Sequence, residues 1–227
     1  MTRLAIFDCD GTLVDSQSSI VSAMAAALRA ENQPPLPRAA VLGIVGLSIV
    51  EAVAALLPHA DPATHRRVAQ AYKDAFHAQR GRGEVHEPLY AGIVDALDRL
   101  TADGWQLGVA TGKSDRGLAL CLAHHGLTDR FVTLQTADRH PSKPHPSMLE
   151  LAMADAGATP ADTVMIGDTH YDIAMGRAAG VATVGVTWGY HDTALLIAAG
   201  ATHIATHPDQ LVPLLAAATA TATPETA

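Results

Sequence analysis

The sequence is short of aromatic side chains, 4% in all, so a core built on packed rings is not open to it. Cysteine is scarce as well. Cys9 and Cys121 are the only two, too few for a disulfide scaffold in a chain of 227 residues. Both sit in apolar runs, where the plain reading is a buried thiol. Positive charge is in deficit, with 15 Lys+Arg against 23 Asp+Glu and a formal net charge of −8. That balance argues against a non-specific grip on nucleic acid or on an anionic membrane. Also missing is any uninterrupted apolar run near the ~20 residues that a bilayer span requires. The opening Met1-Thr2-Arg3 passes straight into an apolar run that meets charge at Asp8 and Asp10, which is not the form of a secretory leader. A cytoplasmic setting is therefore expected.

What the sequence does have is aliphatic: 48% of it is hydrophobic, supplied mainly by Ala, Val, Leu and Ile. The length allows one large domain, or a main domain carrying a smaller inserted one. Leu4-Ala5-Ile6-Phe7 reads as a buried strand that stops at the polar turn Asp8-Cys9-Asp10-Gly11-Thr12. The same form recurs at 105–110 before Thr111-Gly112-Lys113, at 163–166 before Gly167-Asp168-Thr169, and at 182–186 before Thr187-Trp188-Gly189. Weaker strands are predicted at Phe131–Leu134 and His203–Ala205. Helical spacing joins Ile93, Leu97 and Leu100, and further helices are expected at Ser147–Ala156 and Ile173–Ala179, each followed by glycine. Strands alternating with helices predict an α/β fold, a Rossmann-like parallel sheet with helices on both faces. Ligands of such sheets bind beyond the carboxyl ends of the strands, where every polar cluster named above lies.

Residues 16–84 break the alternation. They hold four helix-like segments, no convincing strand, and punctuation at Pro34-Pro35 and Pro58. The expected organisation is an α/β core formed by 1–15 and 85–215, an inserted helical unit at 16–84, and a disordered tail at 216–227. Gly81-Arg82-Gly83 reads as a flexible joint, which suits a unit that opens and closes.

The chemistry is expected at four places. Asp8 and Asp10 lie two apart in extended chain and so face the same way. Their mutual repulsion calls for a cation between them or a proton on one of them. Mg²⁺, which takes one or two carboxylates plus waters and substrate oxygens, fits that need. Gly11 lets the chain turn and offers an N–H to an anion. Read alone, Asp-x-Asp-Gly is equally an ordinary strand-end turn. Thr111 and Gly112 offer a hydroxyl and an amide, Lys143 a cation between restrictive prolines, and Asp168 and Asp172 two more carboxylates at a helix start. Together these groups meet the criteria for a phosphate-handling site.

The motifs Asp8-x-Asp10-Gly11-Thr12-Leu13-Val14-Asp15-Ser16, Thr111-Gly112-Lys113, Lys143-Pro144 and Gly167-Asp168-x-x-x-Asp172 resemble the four signature motifs of the haloacid dehalogenase superfamily in order and spacing. The helical insertion and the segment Val184–Tyr190 resemble the phosphoglycolate-phosphatase-like branch. The resemblance implies a phosphatase in which Asp8 is the nucleophile and Asp10 the general acid and base. It gives Thr111, Gly112 and Lys143 to the phosphoryl group, and Mg²⁺ to Asp8, the carbonyl of Asp10 and Asp168, with Asp172 behind them. It implies a small phosphorylated metabolite as partner, 2-phosphoglycolate first, with no nucleic acid and no membrane. Asp10 argues against the dehalogenases and the phosphonate-cleaving relatives. A β-phosphoglucomutase-like sugar-phosphate mutase stays open, whereas the intact set of Asp8, Asp10, Lys143 and Asp168 argues against a catalytically silent binding protein on the same fold.

Around the site, Val45-Gly46-Leu47-Ser48 is expected to face the chemistry from the insertion, with His170 at the rim. Arg80 and Arg82 read as solvated charges, and Trp188 and Tyr190 as packing residues. Cys9, between the two acids, is expected to face away from them into the core.

Overall fold

The structure, a computed structural model, describes residues 2–220. In chain order its elements are β1 (Arg3–Phe7), α1 (Gln17–Ala30), α2 (Arg38–Leu42), α3 (Ile49–Leu56), α4 (Pro62–Gly81) and α5 (Ile93–Ala102). There follow β2 (Trp105–Thr111), α6 (Asp115–His124), β3 (Thr133–Thr136), α7 (Ser147–Ala156), β4 (Thr163–Gly167) and α8 (His170–Ala178). The chain then forms β5 (Ala182–Val186), α9 (Thr193–Ala198), β6 (His203–Ala205) and α10 (Leu211–Ala220). All six strands pair in parallel, in the order β3-β2-β1-β4-β5-β6. Strand order reverses between β1 and β4, so a crevice opens where those two strands end.

Alternation along β1 sends its side chains to two cores. Ala5 and Phe7 join Leu97 and Leu100 of α5, Leu118 of α6 and Leu215 of α10 on one face. Leu4 and Ile6 join Met148 and Leu149 of α7 and Met175 of α8 on the other. With both faces covered, β1 holds the turn after Phe7 rigidly at the centre of the sheet.

The helices α1–α4 pack on one another around a third core that includes Ile20, Met24, Val41, Val53 and Val68. Asp61 starts the long α4 by accepting from the N–H groups of Ala63 and Thr64 at 2.8 and 2.9 Å, with Pro62 at the first helical position. The two chain crossings into and out of this helical segment are joined to each other. Asp15 N–H donates to Pro88 O at 2.8 Å, and Tyr90 N–H to Leu13 O at 3.1 Å. Ser19 and His86 continue the join just beyond, with His86 N–H donating to Ser19 Oγ at 2.8 Å. Gly81 belongs to the last turn of α4, so the glycine joint begins only at Arg82-Gly83.

Two elements differ from the sequence reading. The third strand runs Thr133–Thr136, two residues later than its apolar signal, and Val132 is 55% exposed. Hydrogen bonds rather than hydropathy settle it there. Thr133 and Gln135 both donate to Asp155 at 2.8 Å, and Thr136 donates to Asp115 at 2.6 Å. The expected tail from 216 is helical through Ala220, because Leu211 and Leu215 anchor α10 in the sheet core; residues 221–227 lie outside the described residues. Among the described residues no helix is long and apolar enough to cross a membrane.

Candidate active site

Asp8 leaves the end of β1 with its carboxylate buried, 1% exposed. Lys143 Nζ stands 3.0 Å from it and 2.6 Å from Asp172. Apart from that ion pair neither Asp8 oxygen accepts a hydrogen bond. Burial pushes the Asp8 carboxyl up to about 7, against the opposing pull of Lys143, and Asp172 and Asp10 add to the rise. Burial likewise holds Asp168 well above the usual carboxylate range, reinforced by Asp172 and Asp8. Burial alone would lower Lys143, but Asp172 and Asp8 outweigh it and hold the ammonium above its ordinary value.

Asp168 follows β4 and accepts from Thr12 Oγ1 at 3.0 Å and from Tyr190 N–H at 2.8 Å. Asp172 sits in the first turn of α8, where Thr169 forms a capping box with it. It accepts from Thr169 N–H at 3.0 Å and Thr169 Oγ1 at 2.7 Å. Ligand oxygens of Asp8, Asp168 and Asp172 all lie within 4.8 Å of one another. Three buried carboxylates face a single buried ammonium, so the cluster carries excess negative charge in low dielectric. The unused oxygens of Asp8 supply hard donors directed into it, and this is the donor chemistry that Mg²⁺ takes. Asp168 is engaged by Thr12 and Tyr190, and Asp172 by Thr169 and Lys143, so Asp8 is the member of the cluster whose oxygens are open to an ion.

Asp10 turns to other partners. Its carboxylate accepts from Ser16 Oγ and pairs with Lys113 Nζ at 2.8 Å. Lys113 also reaches Glu87 at 2.7 Å, and Glu87 in turn pairs with Arg80 at 2.5 Å. Burial opposes the charge on Lys113, yet Asp10 and Glu87 hold its ammonium well above the ordinary value.

Thr111 closes β2, buried, with its Oγ1 accepting from Lys113 N–H at 3.2 Å. Gly112 follows, and a Cβ there would come 2.6 Å from the carbonyl oxygen of Leu47 and 2.9 Å from that of Gly46. The Val45–Ser48 segment thus lies against the end of β2. Ser48 N–H also donates to Ser142 Oγ at 2.8 Å, tying it to the loop that carries Lys143. Between the helical segment and the sheet lies a cavity of about 670 Å³, lined by Asp8, Asp10, Thr111–Ser114, Ile44–Ala52 and one side of α4.

Asp8, Lys143, Asp168 and Asp172 therefore meet in one buried cluster, with Asp10, Thr111 and Gly112 on the adjoining cavity wall. Gly11 is different from expectation. Its N–H donates to Val14 O at 2.9 Å, so it is not available to an anion. Glycine is required there because φ is +87° and a Cβ would lie 2.2 Å from the Asp168 carboxylate. Cys9 does face the core. His170 stacks on His191, ring centroids 5.0 Å apart, and is not part of the cavity wall.

Several site residues escaped the sequence reading. Arg80 is not a solvated charge, since it lines the cavity and pairs with Glu87, whereas Arg82 pairs with Glu84 on the exposed surface. Glu87, buried, carried no signal beyond its place between His86 and Pro88. Trp188 and Tyr190 hold polar groups as well as packing. Trp188 Nε1 donates to Thr12 O at 3.1 Å, and the Tyr190 hydroxyl accepts from Ser16 N–H at 2.9 Å.

A doubly wound parallel sheet with three buried acids and a lysine gathered at its switch point is the layout of an α/β enzyme with a charged site at the carboxyl ends of its strands. Comparison with known proteins gives the family. The model of the haloacid dehalogenase-like hydrolases matches residues 5–186, and the chain belongs to that family. A protein named probable phosphatase IndB from Dickeya dadantii is 40% identical over 203 residues, 88% of this chain and 87% of its own. A phosphoglycolate phosphatase of Pseudomonas putida is 32% identical over 200 residues, covering 84% and 71%. Among solved structures, a predicted phosphatase from Clostridium acetobutylicum superposes with a TM-score of 0.86 at 26% identity, covering 96% of this chain and 99% of that one. Within its family the chain is a phosphatase.

Proposed function

We propose that the enzyme is Mg²⁺-dependent, hydrolyses a phosphate monoester of a small metabolite, and works through a phosphorylated Asp8. One observation carries the reading: Asp8 is buried beside Lys143 at the end of the central strand, with both carboxylate oxygens free of hydrogen bonds. A carboxylate held that way is available for bonding to phosphorus.

Asp8 attacks the phosphorus, the ester P–O bond breaks, and Asp10, which enters the cycle protonated and out of its ion pair with Lys113, gives its proton to the departing alcohol oxygen. Asp10, now ionised, takes a proton from water, which attacks the same phosphorus. The P–O bond to Asp8 breaks and inorganic phosphate leaves. Ser16 and Lys113 fix the Asp10 carboxylate, and Lys143 offsets the negative charge that Asp8 and the phosphoryl group bring together. Thr111 spends only an acceptor lone pair on Lys113 N–H, so its hydroxyl proton is free for a phosphoryl oxygen, with the Gly112 amide beside it. Asp8, Asp168 and the carbonyl of Asp10 would hold Mg²⁺, with Asp172 orienting the set; when bound, the ion neutralises charge between two anionic reactants.

Helices α1–α4 act as a cap over the cavity. Closure favours small molecules over macromolecules, and the net charge of −8 disfavours nucleic acid and membrane as partners. A cytoplasmic location accords with two buried, unpaired cysteines. The relatives' names make 2-phosphoglycolate the first ester to assay. The test is phosphate release from a panel of esters with and without Mg²⁺. Metal-dependent release supports the reading; conversion of β-glucose 1-phosphate to glucose 6-phosphate without release would replace it with a mutase.

A further inference from the structure

The cavity of about 670 Å³ is of the size that encloses a drug-sized ligand. A two-carbon ester would leave most of it to water. Its wall is of two kinds. The sheet side carries the polar residues already described; on the helical side an apolar patch of Ile20, Met24, Val45 and Leu47 is joined by Tyr72 and Phe76, with Glu51, Gln70, Lys73, Asp74 and His77 at its exposed edge. The last two are notable in a chain with only three Phe and four Tyr. They stand one helical turn apart on α4, ring centroids 5.9 Å apart and planes at 44°. Both are half-buried, packed on one side against the helical core and bordering the cavity on the other.

The charges inside the cavity point the same way. A substrate with an anionic group besides its phosphate needs an unengaged cation, yet Lys113 is paired with Asp10 and Glu87, and Arg80 with Glu87. Both cations instead border Phe76, Lys113 Nζ at 5.6 Å and Arg80 Cζ at 5.8 Å from the ring centroid. That contact holds the ring in place through its negative face. Lys73 and Arg116 also border the cavity, but at exposed positions. The acids Glu51, Asp74 and Asp138 stand at exposed positions too, so the interior beside the phosphoryl site presents an aromatic pair and cations that are already paired.

We infer that the preferred ester has an uncharged alcohol bearing a flat aromatic or heteroaromatic ring, about the size of a nucleoside, which packs against Tyr72 and Phe76. The inference rests on the reading of Asp8 and its neighbours as a phosphate monoester site.

Two pairs of esters that differ by the ring test it. They are uridine 5′-monophosphate against ribose 5-phosphate, and 2-phenylethyl phosphate against ethyl phosphate. The expected result is kcat/KM about tenfold or more higher for the ring-bearing member of each pair, carried mainly by KM. Phe76→Leu and Tyr72→Leu, which keep the helical core apolar, should bring the ratios down to within about twofold. Ratios at or below one in the wild-type enzyme, or a preference for 2-phosphoglycolate over both ring-bearing esters, would overturn the inference with the phosphatase intact. No Mg²⁺-dependent release from any ester would instead overturn the site reading itself. The wild-type ratios decide the matter even if a variant fails to fold.

Discussion

Lys143 Nζ bridges Asp8 and Asp172, 3.0 Å from one and 2.6 Å from the other, with its side chain fully excluded from solvent. A single ammonium thus compensates two buried carboxylates supplied by β1 and α8. Removing it strands both.

Lys143→Met should destabilise the fold by about 3–5 kcal/mol, the range for breaking a buried ion pair from one side, and remove most turnover. Denaturant unfolding with and without Mg²⁺ checks it. Wild-type stability in the metal-free variant would mean that the two acids are compensated by something else.

Asp8→Asn should lower kcat by at least about a thousandfold, because no nucleophile remains, while the fold persists. The stability sign is also defined. Asp8 titrates near 7 in the folded protein against 3.8 for the ordinary carboxyl, so between those values the native state holds the proton more tightly. Its contribution to stability is fully present below the lower value and lost as pH rises through the upper one. At pH 8 and without metal, the Asn variant should therefore melt no lower than the wild type.

Mg²⁺ should raise the melting temperature as well as permit turnover. At a hundredfold excess over its Kd, a ligand of the native state alone adds about 2.7 kcal/mol. Asp168→Asn should lose that shift, and a chelator should stop phosphate release. Undiminished rates in chelator would contradict a role for the ion.

Gly112→Ala should act on closure. Its Cβ would lie 2.6 Å from the Leu47 carbonyl oxygen, so the Val45–Ser48 segment must withdraw from the end of β2. A displacement of this kind near the reacting groups should cost about tenfold or more in kcat/KM. The melting temperature should change little, since the contact is between segments and not within a core. Steady-state kinetics beside a thermal melt separates the two effects.

The strand ends were legible because each apolar run stops sharply at a polar turn, and in a parallel sheet such ends converge. That logic brings Asp8, Thr111 and Asp168 to one edge of the sheet. Lys143 was legible only as part of a motif, because a loop lysine has no periodicity of its own. The rest depended on contacts between distant residues. Thr133–Thr136 looked too polar for a buried strand until Asp155 and Asp115 supplied partners. Glu87 and Arg80 looked like ordinary surface charge, and their pairing arises only when α4 comes back over the sheet. The Gly11 amide differs for a local reason, since its acceptor is the carbonyl of Val14 within the same turn.

The hydrogen bonds that join residues 13–15 to 88–90 have a consequence for how such an enzyme can change over time. Both ends of the helical segment leave the sheet side by side, so a change of length within it does not move its two attachment points apart. Residues between them can vary in length while Asp8 keeps its place after β1, as long as Ser48 still meets Ser142 beside Lys143. Change in the helical segment is thus confined by two seams, the paired crossings and the Ser48–Ser142 contact.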